Sequence, residues 1–290
     1  MSQFLRKAQV IIGKPGEGDS LTVNTPTSTP DSRISFSVSK TGTAKANKAS
    51  IEIYNLSFLS RDIIDDLGQT VTLNVGYRQK RRDFNEFIND NILRTIYFGD
   101  FLEVVHEYRS PEWITKIVAG DGINILREKK VSVGSGKGAN VFDVFKDMVK
   151  QAGLVVQGQL EDIFTPEQKN KKLSKGFTFN GLVKDGLNKI ADIFDLNWSI
   201  ENGDLKILQK NAINETEVLY LDKTTGLIES PQRLREQKNK ANKENYRPGY
   251  LIKSLLQPTI EPGKLIHVKS AVDELDTEFI VAEVEHVGDT

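Results

Sequence analysis

The run with most capacity for chemistry is Val131-Ser132-Val133-Gly134-Ser135-Gly136-Lys137-Gly138, a glycine-rich stretch with one lysine ahead of a helical pattern. A P-loop cradles phosphates with backbone N–H groups. It needs a glycine five residues before the Gly-Lys pair and a Ser or Thr after the lysine for the metal. Those positions hold Val131 and Gly138, and no acidic strand end offers a metal partner, so the run reads as an interdomain turn. Paired carboxylates occur at Asp65-Asp66, Glu161-Asp162 and Asp273-Glu274. Acid–base hydrolysis requires two carboxyl groups across a cleft with pKa values driven apart, and these pairs fall at turns and helix ends, where solvated charge is the ordinary state. The three histidines, His106, His267 and His286, lie far apart in strand-like contexts and read as packed or solvated imidazoles. Trp113 and Trp198 fall inside strand patterns and are expected in the core rather than on a stacking platform. No catalytic, cofactor-binding or metal-ligating residue is assigned, and catalysis is not expected.

Bulk composition agrees. The chain has 290 residues, 38% hydrophobic and 27% charged, which is a globular composition long enough for two or three domains. Its 39 basic and 40 acidic residues leave a formal net charge of −1. A dedicated nucleic-acid binder carries a basic excess, so specific nucleic-acid binding is not expected. The basic runs Arg78–Arg82 and Arg233–Lys243 are interspersed with acids or followed by them and read as solvated loops or as contacts to phosphates or an acidic protein face. There are no cysteines, which removes disulfides, thiol catalysis and Cys-based zinc sites together. The apolar run Ala8–Ile12 is too short for a signal sequence and no stretch has the length of a membrane span, so a soluble protein used in the cytoplasm that made it is expected, without membrane insertion.

The elements that would position any such residues are mostly strands. Gln9–Ile12, Arg33–Val38, Ala49–Tyr54, Val71–Tyr77, Thr95–Phe98 and Trp113–Ala119 are apolar-rich or alternating runs separated by turn residues. After Asn55-Leu56 a short helix is expected, capped by Ser57 or Ser60. The pattern changes near residue 129. Asn140–Ala152 places Val141, Phe142, Val144, Phe145, Met148 and Val149 on one helical face, with Gly153 as the stop. A second helix is expected from Phe179-Asn180 through Phe194, then a hairpin turning at Asn202-Gly203. Asp162–Lys175, polar and lysine-rich, reads as an exposed loop. Period-two segments return from Val218, with Leu265–Lys269 and Phe279–Val284 as strands of a small barrel. The expected fold is α+β and mainly β: two β-barrel domains, 1–128 and 212–290, flanking a small α/β domain, 129–211.

Several blocks, in order, resemble the baseplate hub proteins of contractile-tailed bacteriophages, the late control protein D-like family. They are RISFSVSKTGTAKANKASIEIYNLS (33–57), FGDFLEVVHEYRSPEWITKIVAGDG (98–122), FTFNGLVKDGLNKIADIFDLNWSIENGDLKIL (177–208), GLIESPQRL (226–234), SLLQPTIEPGKLIHVKSA (254–271) and EHVGDT (285–290). The resemblance implies two tube-type β-barrels around an α/β insert, and a homotrimer presenting six barrels. Such a trimer joins a sixfold tail tube to a threefold central spike, because two equivalent barrels per subunit reconcile the symmetries. The implied partners are the spike protein, the tail tube protein and other baseplate proteins, with no cofactor. The implied location is the virion tail, after assembly in the host cytoplasm. DNA would pass the ring without specific binding, so lysines and arginines should point outward or into interfaces. The segment Arg78–Asn91 is longer than the turn it replaces in the family and is expected to contact a neighbouring baseplate protein. A competing reading is a tail-associated protein that binds or hydrolyses peptidoglycan.

Overall fold

Strict alternation builds the first sheet. The computed structural model describes residues 6–13, 19–25, 32–43, 46–77, 93–201, 203–209, 218–234, 249–270, 272 and 274–290. Its first elements are β1 (Arg6–Gly13), β2 (Ser20–Asn24), β3 (Ile34–Thr41), β4 (Lys48–Tyr54), α1 (Phe58–Leu67), β5 (Thr70–Tyr77), β6 (Arg94–Arg109) and β7 (Glu112–Gly120). Every second side chain of β1, β3 and β4 points to one face, so Val10, Ile12, Ile34, Phe36, Ile51 and Ile53 share a dry core. The middle module holds α2 (Ile123–Glu128), β8 (Lys130–Ser135), α3 (Val141–Ala152), α4 (Leu160–Ile163), α5 (Pro166–Lys169), β9 (Phe177–Leu182), α6 (Val183–Phe194), β10 (Leu196–Glu201) and β11 (Asp204–Gln209). The last elements are β12 (Leu219–Leu221), β13 (Gln232–Arg233), β14 (Tyr250–Leu251), β15 (Leu265–Ser270), β16 (Leu275–Ile280) and β17 (Glu283–Asp289).

The fold is α+β and mainly β, with one correction to the expected barrels. The first sheet has eight strands in the order β17-β3-β4-β7-β6-β5-β1-β2, so its edge strand β17 comes from the far end of the chain. Phe279–Val284, expected as one strand, is split. Val281 N–H donates to Lys264 O (2.9 Å) in the C-terminal unit, whereas Ala282 O accepts from Gly42 N–H (3.3 Å) beside the first sheet. The chain changes sheets between those two residues. Residues 212–290 are therefore not a separate barrel: they contribute a three-stranded sheet, β12-β15-β16, and lend their last strand to the first sheet.

Among the described residues neither sheet closes through a backbone ladder. The first sheet instead curls until β17 meets β1. Strand β2 pairs with Gln9–Gly13 only, and at the uncovered end of β1 Arg6 Nη1 donates to Asp289 O (3.2 Å). Arg33 also holds the Asp289 carboxylate with two hydrogen bonds. Leu256 packs against the same core, its main chain beside the Tyr77 hydroxyl.

In the middle module α3 and α6 lie against the β8–β9 pair over a core running from Leu126 to Ile207. Asn140 caps α3, its Oδ1 accepting from Phe142 N–H (2.9 Å), and Gly153 ends it at φ 62°. Gly186 lets α6 approach closely, because a Cβ there would stand 2.7 Å from Met148 Sδ and 2.8 Å from the Phe179 ring. Residues 179–182, expected to open the second helix, belong to strand β9. Asp162–Lys175 is more ordered than a loop. Thr165 and Gln168 form a capping box, and Phe164 is buried against Phe142, Phe145 and Phe194 with centroid distances of 4.8, 5.6 and 5.0 Å.

Candidate functional site

The glycine-rich run does not form a phosphate cradle. Gly134 lies inside β8, opposite Thr178, and the first amides ahead are already used: Val141 N–H donates to Lys171 O and Phe142 N–H to Asn140. Nor do the histidines converge. His106 on β6 bonds Thr115 Oγ1 (2.9 Å) and Asp65 (3.2 Å), and His267 on β15 bonds Asp276 (2.6 Å) and stacks on Tyr220. His286 on β17 is buried, with Nε2 donating to Ile260 O (3.2 Å); burial, and then the nearby Lys40 charge, push its pKa down to about 4. Glu161 bonds Lys146 (2.7 Å), which lowers its pKa. Asp273, Arg78–Asn91 and residues 235–243 of the second basic run lie outside the described residues. Trp198 is buried, donating to Asn188 Oδ1 (3.0 Å). Trp113 corrects the expectation of a core residue: it is 41% exposed, held between Arg61 at 4.0 Å and Tyr108 at 5.4 Å.

The structure brings together a different set. Lys40 of β3 and Glu201 of β10 are 2% and 3% exposed, 3.3 Å apart. Lys206 of β11 bonds the other oxygen of Glu201 at 2.7 Å, and Glu261 approaches Lys206 at 3.5 Å and Lys40 at 3.8 Å. Two cations and two anions alternate, so the buried cluster is neutral, and it draws one residue from the first sheet, two from the middle hairpin and one from the C-terminal unit. Beside it Asn47, also buried, donates to Ile200 O (2.9 Å) and accepts from Thr41 N–H (3.0 Å). Gly203 N–H donates to the buried Asp121 carboxylate (3.0 Å), and Asp121 N–H donates to Asn47 O (3.0 Å). Satisfied buried charge of this kind fixes one relative placement, because any shift strands a charge without water. The three parts of the chain are thus joined by specific polar contacts. The signal was available: Lys40 continues the inward register Ile34, Phe36, Val38, where a charge demands a buried partner.

Among the described residues, two apolar faces stand uncovered. Helix α1 buries Ile64 but exposes Phe58, Leu59 and Ile63 by 70%, 71% and 39%. The second face belongs to a ribbon formed by residues 226–234 and 249–255, which includes β13 and β14. Gln232 pairs with Leu251, Leu234 N–H donates to Gly249 O, and Ile228 N–H to Lys253 O. That register puts Leu251, Lys253 and Leu255 outward, with Ile228 and Leu234, while Leu227 and Ile252 turn toward the C-terminal core. Among the described residues no helix is long and apolar enough to cross a membrane, and no group of three His, Cys, Asp or Glu could hold a metal ion.

No protein-family model matches the sequence, and no curated protein matches it. The fold, however, is found in solved structures. The 43 kDa tail protein of prophage MuSo2 from Shewanella oneidensis is similar at TM-score 0.55 and 10% identity, over 96% of this chain and 94% of that one. The tail protein from Neisseria meningitidis MC58 is similar at TM-score 0.56 and 11% identity, over 98% and 92%. The E. coli c3393 protein, a type VI secretion component described as structurally similar to the T4 tail proteins gp27 and gp5, is similar at TM-score 0.52 and 11% identity, over 88% and 69%.

Proposed function

We propose that this chain is a structural subunit of a phage tail baseplate, a trimeric hub that seats a threefold spike on a sixfold tail tube and performs no catalysis itself. The observation that carries the reading is that the likeness to two tail proteins spans 96% and 98% of the chain and over nine-tenths of each of theirs, so the whole architecture is shared rather than one common domain. In this reading the curled eight-stranded sheet and the three-stranded C-terminal sheet supply two tube-type faces per subunit. Three subunits then offer six faces to the tube and a threefold axis to the spike. The polar joint at Lys40, Glu201, Lys206 and Glu261 keeps those faces in fixed relation within each subunit.

The proposed partners are the spike, the tube protein and other baseplate proteins, and the place of action is the virion tail. Mass photometry and electron microscopy of the purified chain, alone and with its tail neighbours, test the reading. A ring-shaped trimer that binds tube or spike is expected. A protein that stays monomeric in all mixtures refutes it.

A further inference from the structure

We infer that the outward face of α1 on one copy seats on the outward face of the 226–234/249–255 ribbon of the next copy, a head-to-tail contact that closes a ring of this chain. The inference rests on the proposed hub role and names the surfaces that build it.

A helix normally turns its apolar stripe inward, yet α1 leaves Phe58, Leu59 and Ile63 in solvent. A two-stranded ribbon has little stability unless one of its faces is covered. The inner face here meets the C-terminal core through Leu227 and Ile252, and Tyr250 rests on Phe279 at 5.0 Å. The outer face keeps Ile228, Leu234, Leu251 and Leu255 exposed by 58%, 47%, 45% and 37%. An exposed helix stripe and an exposed sheet face are the two halves of one packed layer.

Charge selects the pairing. The exposed side of α1 carries Asp62 and Asp66, and its one basic residue, Arg61, is turned onto Trp113. The described ribbon carries Arg233, Lys253 and Glu229, a net charge of +1, with Lys253 between Leu251 and Leu255 on the outward face and ion-paired to Glu229 (2.9 Å). Two copies of α1 would oppose aspartate to aspartate, whereas α1 on the ribbon sets a net-negative helix against a net-positive ribbon. The same molecule cannot make the contact. Helix α1 leads into the first residue of β5, and the ribbon continues into Leu256, whose main chain lies beside the Tyr77 side chain at the other end of β5. Eight extended residues hold those ends about 24 Å apart. Two different, complementary faces on one chain make a heterologous contact, which closes into a ring when the rotation permits.

The absence of cysteine makes the test clean. In the full chain, Leu59→Cys and Leu255→Cys are introduced singly and together, oxidised with copper phenanthroline, and run on non-reducing gels. The double variant is expected to give covalent dimers and trimers, and each single variant only monomer. Dimers from Leu59→Cys alone would place α1 against α1 and overturn the inference. Leu59→Asp and Leu255→Asp supply a second measurement: each is expected to raise the half-assembly concentration by about tenfold or more, with an unchanged circular dichroism spectrum. A native trimer that survives both aspartate variants and gives no cross-link overturns the interface and leaves the hub reading standing. A native protein that is monomeric alone and with its neighbours overturns both.

Discussion

Replacing Glu201 by glutamine removes the anion that Lys40 and Lys206 share and leaves two cations to a single carboxylate, Glu261, at 3.8 and 3.5 Å. Lys40 is 2% exposed, so water cannot substitute for the lost partner. Stranding a buried charge costs about 3–5 kcal/mol, and Glu201→Gln is expected in that range. Lys40→Met should cost less, about 2–3 kcal/mol, because Glu201 keeps Lys206 at 2.7 Å and the excess anion can be shared with the partly solvated Glu261. The double variant leaves Lys206 facing Glu261, one cation to one anion, so its cost should fall short of the sum by at least about 1.5 kcal/mol. Urea unfolding followed by Trp198 fluorescence, in a Trp113→Phe background, measures all corners of the cycle near the joint, since Trp198 precedes Glu201 by three residues on β10. A cost for Glu201→Gln below about 1 kcal/mol, or strict additivity, would put the cluster on a par with exposed ion pairs and refute the argument that it fixes the three parts.

Three other expectations use single side chains. His286 stays neutral in the folded protein down to about pH 4, while an unfolded imidazole binds its proton near 6.5, so stability should fall as pH drops between those values, by up to roughly 3 kcal/mol. His286→Gln keeps a donor for Ile260 O and should flatten that slope in urea titrations at stepped pH; an unchanged slope would show that His286 is not its source. The Tyr97 hydroxyl is buried without a hydrogen-bond partner among the described residues, and burial raises its pKa. Tyr97→Phe should therefore be neutral or stabilising by up to about 1 kcal/mol, and a lowered melting temperature would reveal a partner for the hydroxyl. Gly186→Ala gains about 1 kcal/mol of helix propensity but sets a methyl group against Met148 and the Phe179 ring, so chemical denaturation should show a net loss of about 1–2 kcal/mol; a net gain would mean that the α3–α6 contact yields easily.

What the sequence made legible was local. Strands β3, β4, β5 and β7 follow from alternation or apolar runs, Ser57 caps α1 as its position suggests, and Gly153 stops α3 in the left-handed region. What it hid depends on partners distant in the chain. Strand β2 lies in a Thr- and Pro-rich tract with a weak strand signal and is held by β1 across five residue pairs. Strand β6 runs on past Phe98 to Arg109, through Glu103 and Glu107, because β7 pairs with it and a charged outer face suits an exposed hairpin. Trp113 is apolar by type, but it lies at the exposed end of that hairpin, where Arg61 and Tyr108 cover it in place of a core. The charged joint fell between these cases: Lys40 at an inward position was visible, but Glu201, Lys206 and Glu261 could be found only once three separate segments were placed side by side.

The route of β17 ties the C-terminal sheet to the first sheet. If 212–290 formed an independent barrel, a trimer contact on it would act on a unit hinged to the rest by linkers alone. Because Glu283–Asp289 pairs with β3 over seven residues, a pull on the C-terminal sheet is borne by the first sheet through a full ladder. The same strand places His286 beneath the loop that carries Glu261, so the ladder and the buried charges brace one another. A ring built by the α1–ribbon contact would therefore join rigid bodies. Loosening the joint, as Glu201→Gln does, should weaken ring assembly even though no residue of either contact face is altered.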